Sequence, residues 1–231
     1  MNELKRAIFL IGSPKGEKSS SASLGNYILN LLKENDIQTN TVHIHSQINT
    51  EAKTALFLQN IERADLIILA APLYVDTLPA KVIKALTLIV ENKKKLYSQN
   101  ITPVKKQSFA AILNCGFPEP EQNKVALKVY KEFAKEAGFN YLGGIAIGMG
   151  GLINGKALSE MGGIAKNLIK GLDLAADDLL NNQKISDAAI KKTFKPLISQ
   201  NWLYTLVGNL NWKFKALKNG IYKKINDKPY T

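Results

Sequence analysis

The five apolar residues Ala7 to Ile11 end abruptly in Gly12-Ser13-Pro14-Lys15-Gly16, and four serines follow at once, Ser19, Ser20, Ser21 and Ser23. An unbroken apolar run of strand length needs cover on both faces, which points to a parallel sheet with helices above and below it. Past Ser19 the apolar residues change to helical spacing, with Leu24, Ile28, Leu31 and Leu32 on one face, so the serines stand where a helix begins. Unpaired backbone N–H groups collect at such a start, and its partial positive charge favours an anion. With the hydroxyls and Lys15 added, the turn has the donors to hold a phosphate. A serine-rich turn can also do no more than cap its helix. Its place after the first strand favours the ligand reading, because loops at the carboxyl edge of an open α/β sheet border the binding crevice. The spacing is neither that of a Walker A loop nor Gly-x-Gly-x-x-Gly, which argues against a nucleoside triphosphate and a conventional dinucleotide fold.

The rest of the chain repeats the order strand, loop, helix. A first strand over residues 6–12 and a helix over 20–34 are followed by 38–44, where Val42 and Ile44 alternate with polar residues as in a strand nearer an edge. Residues 50–63 carry helical spacing, and the fully apolar 66–71 reads as a central strand. Pro72-Leu73-Tyr74-Val75 opens a rigid loop that leads into a helix with Pro79 in its first turn. Residues 107–113 form another strand, ending in Asn114-Cys115-Gly116-Phe117 before an amphipathic helix over about 121–137. Gly138 reads as its C-cap and 141–147 as a fifth strand. Gly148-Met149-Gly150-Gly151 either approaches a flat ligand or simply turns sharply, and a helix over 158–180 closes the pattern. The expectation is a five-stranded parallel sheet in a three-layer α/β/α domain over 1–183, with a basic, aromatic-rich C-terminal extension over 184–231.

Charge and cysteine content narrow the classes. Cys115 is the single cysteine, so neither an internal disulfide nor a multi-cysteine metal site is expected, and a reducing, cytoplasmic setting fits. The apolar run after the basic start is too short for a signal segment, and no stretch reaches membrane-spanning length. His43 and His45 are spaced to share one strand face, but carboxylates are not clustered beside them, so no metal site is expected. The net charge is +12, and from residue 188 onward nine lysines face one acid, Asp227. That balance suits phosphorylated cofactors, an anionic membrane surface or nucleic acid, but no nucleic-acid recognition motif accompanies the lysines.

Over about residues 5–180 the chain resembles the flavodoxin-like NAD(P)H-dependent FMN reductases and the multimeric flavodoxins close to them. Three segments carry the likeness. Gly12-Ser13-Pro14-Lys15 with Ser19-Ser20-Ser21 looks like the family's Gly-Ser-Pro-Arg phosphate loop, with Lys15 in place of Arg. Ala64-Asp65 through Pro72-Leu73-Tyr74 and Pro79-Ala80 is similar to its second segment, and Asn114-Cys115-Gly116-Phe117 is the weaker third. The resemblance implies that Ser13, Lys15, Ser19, Ser20 and Ser21 hold the FMN phosphate. It implies that Pro72, Leu73, Tyr74 and Val75 border the isoalloxazine ring and that Asn114, Cys115, Gly116 and Phe117 contact its other side. It further implies NADH or NADPH as reductant, a small acceptor such as a quinone, nitro compound or flavin, and a homodimer. No catalytic side chain is named, since the cofactor carries the hydride chemistry. The rival reading is a flavodoxin-type electron carrier, a class that tends to be strongly acidic.

Two features stand apart from that scheme. Cys115 at a strand end is either a redox or nucleophilic thiol or a small buried residue beneath the ring. The extension combines Trp202, Tyr204, Trp212 and Phe214 with lysines, which fits packing on protein or a contact with an anionic membrane surface.

Overall fold

In β1 (Arg6–Ile11), Ile8 and Leu10 bury on one side of a sheet while Ala7, Phe9 and Ile11 bury on the other. The computed structural model describes residues 4–99 and 106–228. Chain order continues with α1 (Ser20–Glu34), β2 (Gln38–His43), α2 (Ile44–Gln47), α3 (Glu51–Arg63), β3 (Leu66–Pro72) and α4 (Ala80–Ser98). It then runs through β4 (Ser108–Asn114), α5 (Lys124–Glu136), β5 (Asn140–Ile147), α6 (Gly150–Ile153), α7 (Lys166–Leu180), α8 (Asp187–Thr193) and α9 (Asn201–Lys218). The strands lie in the order β2-β1-β3-β4-β5 and every pairing is parallel. This is the flavodoxin-like α/β arrangement, with β2 on an edge and β3 in the centre as the strand compositions predict. Chain direction across the sheet reverses between β1 and β3, and a crevice opens at their carboxyl ends.

Two apolar layers sandwich the sheet. Phe9, Ile68, Ile112 and Ile145 pack with Leu24 and Ile28 of α1 and with Leu168 and Leu172 of α7. Ile67, Leu69, Phe109 and Leu113 pack with Phe57 of α3, Val82 and Ile89 of α4 and Tyr130 of α5. Fully burying each such side chain is worth about 2 kcal/mol, so the layers rather than helix propensity hold the elements in place. Helix α1 approaches β1 so closely that a Cβ on Gly25 would fall 1.9 Å from the Phe9 ring.

At the amino edge a polar network ties three elements. Gln107 Nε2 donates to the carbonyls of Ile61 and Ala64 at 2.6 and 2.7 Å, satisfying the end of α3. Lys93, 2 % exposed, donates to Glu62 Oε2 at 2.6 Å and to Gln107 Oε1, and lies over the Phe139 ring. A buried ammonium is tolerable only with such partners.

Several expectations are corrected. Pro79 is the N-cap of α4 rather than part of its first turn. The helix expected over 121–137 starts with a 3-10 turn, Pro120–Asn123. The helix expected over 158–180 is instead a 3-10 stretch, Leu158–Ala165, kinked inside by Gly162 at φ +60°, followed by α7. His43 and His45 do not share a strand face, since β2 ends at His43 and His45 belongs to α2. His43 Nε2 instead meets Glu17 Oε1 at 2.8 Å.

The division expected after residue 183 falls after Leu197. Ile185 N–H donates to Leu142 O at 2.7 Å and Ile185 and Ala189 join the core, so α8 is part of the sheet domain. From Ile198 onward the chain forms a second unit, built on α9 and a 3-10 turn, Tyr222–Lys224.

Candidate functional site

The first loop is shaped by its own side chains. Ser19 is the N-cap of α1: its Oγ accepts from Ala22 N at 3.1 Å and donates to Gly16 O at 2.6 Å. Ser23 N–H turns back to Ser19 O, which leaves the N–H groups of Ser20 and Ser21 as the open donors of the helix start. Ser13 Oγ accepts from Lys15 N at 3.3 Å and keeps its own proton to give.

The next two hydroxyls face other loops. Ser20 Oγ donates to Gly150 O at 2.7 Å and accepts from Asn154 N at 3.1 Å, binding the loop after β5 to the first turn of α1. That loop is held close on its far side too: Gly155 has φ +81°, and a Cβ there would lie 2.8 Å from the Lys18 carbonyl. Ser21 Oγ, buried, donates to Asn114 Oδ1 at 2.7 Å. In this arrangement the Ser20 and Ser21 protons are already placed, and both residues act as ties between loops.

The second loop projects from the centre of the sheet. Tyr74 and Thr77 exchange N–H···O bonds of 2.9 and 3.0 Å around Val75 and Asp76, whose φ angles are +46° and +60°. This is the geometry of a type I′ turn. A β-branched residue in the left-handed region costs on the order of 1–2 kcal/mol, yet Val75 is held there and is 96 % exposed. Tyr74 is 43 % exposed and, on the loop after the neighbouring strand, Phe117 is 55 % exposed.

The third loop holds Cys115, which is buried. Its Sγ donates to the carbonyls of Phe117 and Glu119, each at 3.6 Å. Burial pushes the thiol above its ordinary value, so it keeps its proton. That is the environment of a structural thiol rather than a nucleophile.

Ser13, Lys15, Ser19, Ser20, Ser21, Pro72, Leu73, Tyr74, Asn114, Cys115 and Gly116 line one cavity of about 180 Å³ at the carboxyl edge. Val75 and Phe117 are not in that lining. Lys18, Gly150, Gly151 and Asn154 are, and sequence reasoning had not named them as site residues. The glycine run 148–151 was the signal for two of them. Asn154 depends on a bond to a serine 134 positions away, which no local pattern shows.

The donor set suits a phosphate monoester: two open N–H groups at a helix start, a serine hydroxyl and two lysines. Gly116 leaves open space where a side chain would stand, with nothing within 4 Å of a Cβ built there. A flat ring therefore has room beside the third loop. The residues present fit FMN. Among the described residues no group of three or more His, Cys, Asp or Glu is arranged for a metal ion.

Residues 6–102 match the family model of the NADPH-dependent FMN reductases. No curated protein matches the chain. Among solved structures, an FMN-dependent NADH-azoreductase from Bacillus anthracis in complex with FMN shares 15% identity at a TM-score of 0.52, covering 77% of this chain and 100% of that one. An NADH:FMN oxidoreductase in its apo form gives 15% identity and a TM-score of 0.54, with 86% and 98% covered. At these identities the two structures establish the fold, and the family match, over less than half of the chain, falls on the first two loops: the chain has the flavodoxin-like fold, and from β1 to α4 it is similar to the NADPH-dependent FMN reductases.

Proposed function

We propose that the protein passes electrons from NADH or NADPH to a small planar acceptor, a quinone, a nitro or azo compound or a free flavin, at the carboxyl edge of β1, β3 and β4. The observation that carries this reading is the convergence of Lys15, Lys18, Ser13 and the open N–H groups of Ser20 and Ser21 on one cavity whose other wall is Pro72 to Tyr74. FMN, when bound, supplies the hydride acceptor and donor. The lysines and the helix start would neutralise its phosphate, and the Ser20 and Ser21 ties keep the first loop, the third loop and the loop after β5 at fixed spacing around it. Pro72 to Tyr74 would border the ring on one side, with Asn114 to Gly116 on the other. The exposed faces of Tyr74, Val75 and Phe117 are then available to nicotinamide and acceptor in turn. Replacing Arg by Lys15 gives up a bidentate fork, which the backbone donors offset.

The test is to purify the protein with its flavin and add NADH or NADPH without oxygen. Bleaching of the flavin absorbance within seconds supports the reading. Absence of reduction by either nucleotide leaves the electron-carrier reading instead.

The quaternary proposal is a homodimer. Between α4 and α5 lies an open apolar groove of about 700 Å³, with Ile83 and Val125 exposed along it. Both helices start directly behind the second and third loops, so a second copy seated there stands beside the ring edge. Sedimentation showing only monomer at micromolar concentration would count against it.

A further inference from the structure

We infer that α9 is a membrane-surface element that lays its apolar face on anionic lipid. The helix is a single piece of 18 residues, and at roughly 100° per residue its side chains divide by chemistry. Trp202, Leu203, Leu206, Val207, Leu210, Phe214 and Leu217 fall within one arc. Asn209, Asn211, Thr205, Gly208, Lys215 and Lys218 fall outside it, together with Tyr204 and Trp212. Nothing within the second unit covers the arc: Trp202 is 67 %, Leu210 57 %, Phe214 75 % and Leu217 59 % exposed. Leaving such a row in water forfeits the gain that burial brings to every other amphipathic helix of the chain.

Charge selects the occupant. From residue 198 to 231 there are six lysines and one acid, and α9 itself contains no acid. Lys213 falls within the angular span of the apolar arc, a position where a long stem lies along apolar surface while the ammonium reaches the headgroups. A second protein copy would bring the same lysines to meet these, whereas an anionic leaflet complements them. No helix among the described residues is long and apolar enough to cross a membrane, so α9 lies on the surface rather than spanning it. The placement goes beyond the reductase reading and would hold the protein next to acceptors dissolved in lipid, such as quinones.

The experiment uses the full-length, flavin-loaded protein with vesicles of phosphatidylcholine alone or mixed with phosphatidylglycerol, separated by sedimentation at low salt. Binding to the mixed vesicles and not to phosphatidylcholine is expected, with release at high salt. Each lysine near an anionic surface changes partitioning about fivefold, so replacing Lys213, Lys215 and Lys218 by Gln together should weaken it roughly a hundredfold. Leu206→Gln with Leu210→Gln, which leaves the charge unchanged, should also abolish binding while flavin content stays constant. Equal recovery in the supernatant with both vesicle types overturns the inference, and so does binding that the leucine variant retains. If that variant instead converts a larger species to a smaller one without vesicles present, the face is covered by a second copy and the inference falls.

Discussion

The Ser21 hydroxyl donates to Asn114 Oδ1 across 2.7 Å, joining the first turn of α1 to the last residue of β4 in a buried bond. Ser21→Ala leaves the Asn114 oxygen without its donor and should cost about 1–3 kcal/mol in urea unfolding. Because the bond sets the spacing of two loops, FMN affinity should fall as well. A double-mutant cycle with Asn114→Ala checks the linkage: the two losses should be clearly less than additive. Additive losses would separate the two residues.

Lys15 and Lys18 are the cationic side chains lining the cavity. Replacing both by Gln should weaken FMN binding about tenfold or more, as removal of charge-assisted bonds does. Flavin fluorescence titration measures it. The salt dependence of binding should shrink in the same variant, since fewer charges are screened.

His45 supplies a pH dependence. Burial, with the Lys81 ammonium adding to it, lowers its pKa below the ordinary 6.5, so the folded protein prefers the neutral ring. The unfolded chain binds the proton more readily. Stability from this group is therefore complete above about pH 6.5 and is lost as the pH falls towards the folded value. Urea unfolding from about pH 7.5 down to about pH 5 should show a shallower decline in His45→Gln than in the parent.

The Tyr130 hydroxyl is buried without a hydrogen-bond partner among the described residues, and burial pushes its pKa well above the usual value. Tyr130→Phe removes a desolvated group and keeps the ring contacts with Phe109, so stability should hold or rise by about 1 kcal/mol. Lys93→Met is the contrasting change. It leaves Gln107 Oε1 buried and unpaired and should cost about 2 kcal/mol. Thermal or urea denaturation separates the two, and flavin content should stay at the parental level in both.

What could be read from residues follows from how local the cause was. The apolar run 7–11, the serines behind it and the helical spacing of Leu24, Ile28 and Leu32 are neighbours in sequence, and β1 and α1 appear where they predict. The run 66–71 reads as a central strand for the same reason, since burial on both faces leaves no polar alternation. His45 was misplaced because a two-residue spacing says nothing once the strand ends at His43. The kink at Gly162 was carried by a Gly-Gly pair that helical periodicity on either side concealed. The roles of Ser20 and Ser21 were hidden further, because Gly150, Asn154 and Asn114 reach them only after the sheet has formed. A serine that offers a proton and one that has already given it look alike in a sequence.

Lys93, Gln107 and Glu62 bind the protein together at the end of the strands opposite to Lys15, Tyr74 and Gly116. The buried ion pair and the exposed loop residues thus lie at different ends of the same sheet, and Ser21–Asn114 is the buried tie on the site side. Substitutions of the exposed Tyr74 or Phe117 leave that network intact, unlike those of Ser21 or Asn114, and repairs at the far end leave the cavity unaltered. For laboratory selection this means the two ends can be varied in parallel libraries and recombined, with little conflict between the winners of each.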